Sequence, residues 1–365
     1  MKIGIYDPYL DDLGGGEKYM LSIAECLSKE HDVRIFWDEK KDLDLVLQRF
    51  TIDLSRVKVA PNIFDSDFGF LRRLNESKKY DAIIVLSDGS IPFVFSKKLF
   101  IHLQQPIPKA KKNGLRNAIK KTRATRVFCN SYFSKSFVDR QLGVESIVIY
   151  PPVSLKPKKV KKENIILHVG RFRARDVRTV VNGVSMPVGD YKKQSVMIEE
   201  FKKIAKKIPG WKFILATGVK PEDEKDFNEM RKRAENYPIK LLVNMSNDEL
   251  WGIYSRAKIY WHASGFGEDL EKHPEFAEHF GISTVEAMGA GAVPVVINAG
   301  GQKEIIENNI NGFLWDTLDE LEGKTLLLVS ENKIFEAMSL KAIERARDFH
   351  GSRFCEEIKK IIDNG

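Results

Sequence analysis

The chain has 365 residues, 43% of them hydrophobic and 30% charged, with a formal net charge of +8. That length suggests two domains, and the composition excludes both a disordered chain and a small fold that depends on disulfides. No run reaches the roughly 18 continuous apolar residues of a membrane-spanning helix, and the cationic surplus asks for an acidic partner: nucleic acid, a nucleotide or an anionic membrane surface.

In chain order, a strand over Lys2–Tyr6 is followed by apolar residues at helical spacing over Glu17–Lys29 and a second strand at Val33–Trp37. Strand patterns recur at Ala82–Leu86, Leu99–Leu103, Arg126–Cys129 and Ser146–Tyr150. A second series runs through Ile165–Val169, a helix at Ser195–Ile208, then Lys212–Ala216, Lys240–Leu242, Ile259–Ala263 and Val293–Ile297. Such alternation predicts parallel sheets flanked by helices, an α/β fold.

The two series part at Pro151–Asn164, which holds three prolines and five lysines and reads as an exposed linker. The expected division is residues 1–155, residues 156–340, and a C-terminal helix over 341–365 that packs back towards the first domain. The opening residues form a strand pattern and not a secretory leader. Cys26, Cys129 and Cys355 are odd in number and far apart, so they read as free thiols of a cytoplasmic protein.

Gly14-Gly15-Gly16-Glu17 lies between the first strand and the first helix, where the backbone can approach an anion. It matches neither the dinucleotide fingerprint nor a Walker loop, and reads equally well as a plain turn. His102 ends a predicted strand, the edge where ligands sit in such sheets, although a lone histidine there is more often structural. Gly170-Arg171-Phe172 follows another strand, with Lys192-Lys193-Gln194 opening the next helix. Arg171 and Lys192 are a rigid fork and a mobile point charge, a pair suited to a diphosphate; solvated surface cations are the plainer reading.

The most informative stretch runs from Glu278 through Phe280-Gly281-Ile282-Ser283-Thr284 to Glu286, then Ala-Met-Gly-Ala-Gly. Two carboxylates eight residues apart, with a helix N-terminus between them, suit the polar ends of an elongated ligand carrying negative charge in its middle. Ser283 and Glu286 also have the spacing of a capping box, which would make Glu286 a cap of its own helix.

Glu278-x7-Glu286, Val169-Gly-Arg171-Phe172, Tyr150-Pro-Pro-Val and the Gly14–Gly16 loop together resemble glycosyltransferase family 4, in the family's order and over about residues 1 to 355. The glycine-rich entry and Glu278-His-Phe-Gly also resemble mannosyltransferases that extend dolichol-linked oligosaccharides; Trp261-His-Ala-Ser-Gly-Phe-Gly-Glu and Asn298-Ala-Gly-Gly-Gln resemble a prokaryotic branch of the same family. The resemblance implies a GT-B fold, two Rossmann-like doubly wound parallel-sheet domains facing a central cleft. The acceptor then binds mainly to the first domain and the nucleotide-sugar donor to the second.

Carried over by position, Arg171 and Lys192 meet the donor diphosphate, Glu286 the ribose hydroxyls and Glu278 the transferred sugar. Residues Phe280, Gly281, Ile282, Ser283 and Thr284 line sugar and phosphate, His102 stands beside the sugar, and Gly15 and Gly16 face diphosphate and acceptor. The catalytic set is then Glu278, Arg171, Lys192 and His102. The family retains anomeric configuration, and no metal or other cofactor is expected. Between Arg171 and Lys192 the chain inserts Arg173–Tyr191, so Lys193 competes with Lys192. Asp42-Leu43-Asp44 reads as a solvated helical face.

Residues 108–126 carry eight cations and no acidic residue, a basic helix pattern suited to anionic lipid headgroups or simply to water. Three functions compete: a retaining hexosyltransferase acting on a lipid-linked glycan or polysaccharide, peripheral on the inner face of a membrane; a nucleic-acid-binding protein; and a nicotinamide-dependent dehydrogenase. Interleaved aromatics are missing from 109–126 and Gly-x-Gly-x-x-Gly is missing from the chain, which counts against the second and third.

Overall fold

The computed structural model describes residues 1–10, 15–39, 43, 52–106, 123–173, 178–181, 184–187 and 191–364, with the backbone alone at 178–181 and 184–187. The chain divides into two compact units, Met1–Pro152 with Gly351–Gly365, and Val153–His350. These boundaries differ from the expected 155/156 and 340/341. The second boundary lies later because one helix runs unbroken over Asn332–Ala346.

The first unit holds β1 (Lys2–Tyr6), α1 (Gly15–Leu27), β2 (Asp32–Phe36), β3 (Lys58–Ala60), α2 (Phe70–Ser77), β4 (Ala82–Leu86), β5 (Lys98–Leu103), β6 (Arg126–Cys129), α3 (Tyr132–Leu142) and β7 (Ile147–Val148). These strands form one sheet in the order β3-β2-β1-β4-β5-β6-β7, every neighbouring pair parallel. The run Ala82–Leu86 is buried throughout, as a strand covered on both faces must be. Ala82, Ile84 and Leu86 enter one hydrophobic cluster while Ile83 and Val85 enter another.

The second unit holds β8 (Glu163–Arg171), β9 (Arg178–Val181), β10 (Val184–Pro187), α4 (Gln194–Ile204), β11 (Lys212–Gly218), α5 (Glu224–Ala234), β12 (Ile239–Val243), α6 (Asn247–Arg256) and β13 (Ala257–His262). It continues with α7 (Ile282–Gly289), β14 (Val293–Ile297), α8 (Gln302–Ile305), β15 (Phe313–Trp315), α9 (Leu318–Ser330) and α10 (Asn332–Ala346). Its sheet order is β12-β11-β8-β13-β14-β15, again parallel. Counted along each unit, both sheets read 3-2-1-4-5-6, the doubly wound order of the Rossmann fold, with the first unit adding a seventh strand at its edge. The expected fold class stands: two Rossmann-like parallel-sheet units.

The last helix, α11 (Gly351–Asn364), belongs to the first unit, where Phe354, Ile358 and Ile362 are buried in the cluster that contains Ile3 and Tyr19. Here the reading of free thiols is corrected: Cys26 of α1 and Cys355 of α11 form a disulfide, their Cα atoms 5.4 Å apart. They stand 329 residues apart in sequence, so spacing gives no hint of a pairing that only the return of the chain brings about. Cys129 is free and buried. Among the described residues no helix is long and apolar enough to cross a membrane.

Candidate functional site

Ligands in doubly wound sheets bind beyond the strand C-termini at the point where strand order reverses. In the second unit that point lies between β8 and β13. The strands end there in Gly170-Arg171 and in His262.

Glu278 enters this region on the loop before α7. Lys192 Nζ lies 2.6 Å from Glu278 Oε2, and His262 Nε2 lies 2.8 Å from the same oxygen. The Glu278 side chain is 18% exposed and that of His262 1%. Burial works against ionising Glu278, but the Lys192 ammonium and the His262 hydrogen bond outweigh it and hold the carboxyl well below its ordinary range. Burial lowers the pKa of His262 despite its bond to Glu278, so the ring is neutral at pH 7. Its Nε2–H then donates to Glu278, leaving Nδ1 to accept from the Ser264 amide at 3.4 Å.

Two glycines make this position of Glu278 attainable. A Cβ on Gly300 would stand 2.3 Å from the Glu278 carbonyl oxygen, and one on Gly301 would stand 2.4 Å from Phe280 Cα. With neither present, the Gly301 amide donates to the Glu278 carbonyl at 2.8 Å and docks the loop against the start of α8.

His168 of β8 is fully buried, with Nδ1 2.9 Å from the Trp261 carbonyl. That bond makes Nδ1 the protonated nitrogen and leaves Nε2 as an acceptor, which has no partner among the described residues. It lies against Gly170, where an added Cβ would meet it at 3.0 Å and Lys192 Cγ at 3.4 Å. Burial lowers the His168 pKa to about 3, and that of His279 to about 4.

The α7 helix begins after Gly281, whose φ of +123° is open to glycine and strained for other residues. Gly281, not Ser283, is the N-cap, and no side chain caps the helix. The capping-box reading is therefore corrected: Ser283 lies inside the first turn, its Oγ 2.8 Å from the Tyr260 hydroxyl. One turn on, Glu286 Oε2 accepts a 2.9 Å hydrogen bond from the Tyr254 hydroxyl. Thr284 and Gln302 are fully buried, and neither the Thr284 hydroxyl nor the Gln302 amide finds a partner among the described residues.

Lys192 and Lys193 go different ways. Lys193 takes a left-handed turn at the N-cap of α4, with φ +57° and ψ +34°, and pairs with Glu268 while Lys192 pairs with Glu278. Arg171 ends β8 with its side chain exposed beside Gly218. Phe280 is 3% exposed and packs edge-on against Phe349.

His102 lies in the first unit, fully buried with its ring 4.0 Å from that of Tyr19 and 4.7 Å from that of Phe128. Its Nδ1 lies 3.2 Å from the Phe128 carbonyl, Nε2 is unpartnered among the described residues, and burial lowers its pKa to about 3. In the same unit Gly15 and Gly16 open α1, and Gly16 lies against the Gln104 amide, where an added Cβ would clash at 2.0 Å. Gly14, Asp42, Asp44, Arg175 and residues 107–122 lie outside the described residues, so most of the basic 108–126 stretch does too. The inserted 173–191 segment contains the antiparallel pair β9–β10. Among the described residues no group of three or more His, Cys, Asp or Glu is set to hold a metal ion.

His168, Tyr254 and Tyr260 escape the sequence pattern, and His262 and Glu268 stand in the Trp261–Glu268 motif without an assigned role. His262 was within reach, because it ends a predicted strand just as His102 does. The tyrosines carry no signal, since aromatics in a helix and a strand read as core.

Two doubly wound parallel α/β units make the fold of the GT-B glycosyltransferases. A crystal structure of Anabaena HepE with UDP and glucose superposes with a TM-score of 0.73 at 20% identity, covering 100% of both chains. Sucrose-phosphate synthase from Thermosynechococcus elongatus superposes with a TM-score of 0.66 at 13% identity. Residues 187–348 match the family model "Glycosyl transferases group 1", a stretch that lies within the second unit.

Among curated proteins, a GDP-Man:Man(3)GlcNAc(2)-PP-Dol alpha-1,2-mannosyltransferase of Dictyostelium discoideum is 25% identical over 242 residues, 61% of this chain and 43% of its own length. Trehalose synthase of Thermococcus litoralis is 26% identical over 227 residues, 60% of this chain and 52% of its own length. The chain thus spans about half the length of these curated relatives.

Proposed function

We propose that the chain is a retaining glycosyltransferase that moves a hexose from a GDP- or UDP-linked donor to a lipid-linked glycan or polysaccharide. The observation that carries this reading is the Lys192–Glu278–His262 cluster at the switch point of the second unit, beside the N-terminus of α7. As the structure stands, Lys192 is balanced by Glu278 and His262 is neutral. A donor diphosphate brings more negative charge than Lys192 alone can meet, so Arg171 and the α7 amides are assigned the remainder.

In this reading the departing nucleoside diphosphate is the group that gains charge in the transition state, and Lys192, Arg171 and the α7 N-terminus stabilise it. Losing one such preorganised group costs roughly 10²–10³ in rate. Glu278, held ionised by Lys192 and oriented by His262, takes sugar hydroxyls, and Glu286 takes the ribose diol. Retention of anomeric configuration rests on the family resemblance. So does His102 beside the sugar, with Gly15 and Gly16 facing diphosphate and acceptor.

Both donor bases stay in play, since the Dictyostelium relative is named for GDP-mannose and the Anabaena structure contains UDP. Attachment to an anionic membrane surface through residues 108–126 rests on their charge alone. The test is a thermal-shift panel followed by a donor screen. UDP or GDP should raise the melting temperature, because a ligand that binds only the native state stabilises it. No response to any nucleoside diphosphate, with a response to NAD or to a single-stranded oligonucleotide, overturns the reading.

A further inference from the structure

We infer that Tyr254 is a positioning residue for the nucleoside half of the donor, acting through Glu286. The inference rests on the assignment of Glu286 to the ribose hydroxyls and adds the residue that aims it.

Glu286 has a flexible side chain on α7, a helix whose N-cap is Gly281. The hydroxyl of Tyr254 donates to its Oε2 at 2.9 Å from α6, a separate element. Tyr254 is fully buried, its ring 5.4 Å from that of Trp251, so the donor is itself fixed. Burial holds its phenol pKa well above the ordinary range, and it stays a donor at any working pH. One turn earlier, the buried Tyr260 lies 2.8 Å from Ser283 Oγ. Two tyrosines from two elements therefore grip two α7 residues one turn apart.

A phenol donor on one carboxylate oxygen selects one rotamer of Glu286. That selection does not touch the diphosphate. Tyr254 should then govern recognition of the nucleoside and leave phosphate binding alone.

The experiment measures affinities of wild type and variants, by calorimetry, for UDP and GDP, their 2′,3′-dideoxy counterparts, and pyrophosphate. Wild type should prefer the diol form of its nucleotide over the dideoxy form. Tyr254→Phe should cut that preference by about tenfold, the loss of one hydrogen bond to a charged group, with pyrophosphate affinity unchanged. In a Glu286→Gln background, Tyr254→Phe should have no further effect.

Equal binding of diol and dideoxy nucleotides by wild type overturns the assignment of Glu286. A wild-type preference that survives Tyr254→Phe overturns the role of Tyr254 alone. So does a parallel loss for all ligands including pyrophosphate, or a Tyr254→Phe protein that does not fold. In either case the hydroxyl would merely fasten α6 to α7.

Discussion

Lys192 Nζ and Glu278 Oε2 lie 2.6 Å apart although 86 residues separate them in the chain. The neighbouring Lys193 turns to Glu268 instead. The change of direction comes from the left-handed backbone at Lys193, which sets the two ammonium groups on different partners.

If Lys192 is the cation that meets the diphosphate, Lys192→Met should lower donor hydrolysis or transfer by roughly 10²–10³. Lys193→Met should cost less than about tenfold in transfer, because its ammonium pairs with Glu268; its cost falls on stability, since it strands a Glu268 side chain that is only 13% exposed. Equal losses for both variants would sink the assignment. Melting temperatures of both proteins check that the difference lies in chemistry and not in folding.

The buried histidines predict a loss of stability in mild acid. His102, His168 and His279 have folded pKa values of about 3, 3 and 4 against an ordinary 6.5, so between these limits the unfolded chain binds more protons than the folded one. Stability is therefore complete above pH 6.5 and falls as pH drops through it. At pH 5 each of these groups accounts for about 2 kcal/mol. Glu278, whose folded pKa is depressed, acts in the same direction further down, as pH falls below its ordinary 4.5. Urea melts at pH 7.5 and pH 5 measure this, and a midpoint that does not move would refute it.

The disulfide between Cys26 and Cys355 fixes α11 to α1. Under denaturing, non-reducing conditions a thiol assay should find one reactive cysteine, Cys129; three would contradict the pairing. Reduction should destabilise the first unit by about 3–5 kcal/mol, as expected for cross-linking a long loop. The partial compensation comes from Phe354, Ile358 and Ile362, which keep α11 packed without the bond.

Much of the fold was legible because burial on both faces of a parallel strand writes a continuous apolar run. Ala82–Leu86, Arg126–Cys129 and Val293–Ile297 were read with the bounds they have. The three-residue strands β3 and β15 escaped, being too short for any pattern to rise above chance. In the site, the spacing of Glu278 and Glu286 was plain, while the use of Glu286 was not. Ser283-x-x-Glu286 has capping-box spacing, but a spacing does not say where a helix begins. The +123° φ of Gly281 does.

The sequence by itself determined two doubly wound units, the strand ends where a site would form, and the residue types gathered there, because period and composition are local properties of a chain. Only the tertiary structure decided which lysine meets Glu278, that His262 completes the cluster, that Tyr254 holds Glu286, and that Cys26 meets Cys355. Each of these is a pairing between residues far apart in sequence, and each depends on how parallel strands and their crossover helices bring such residues within a few ångströms.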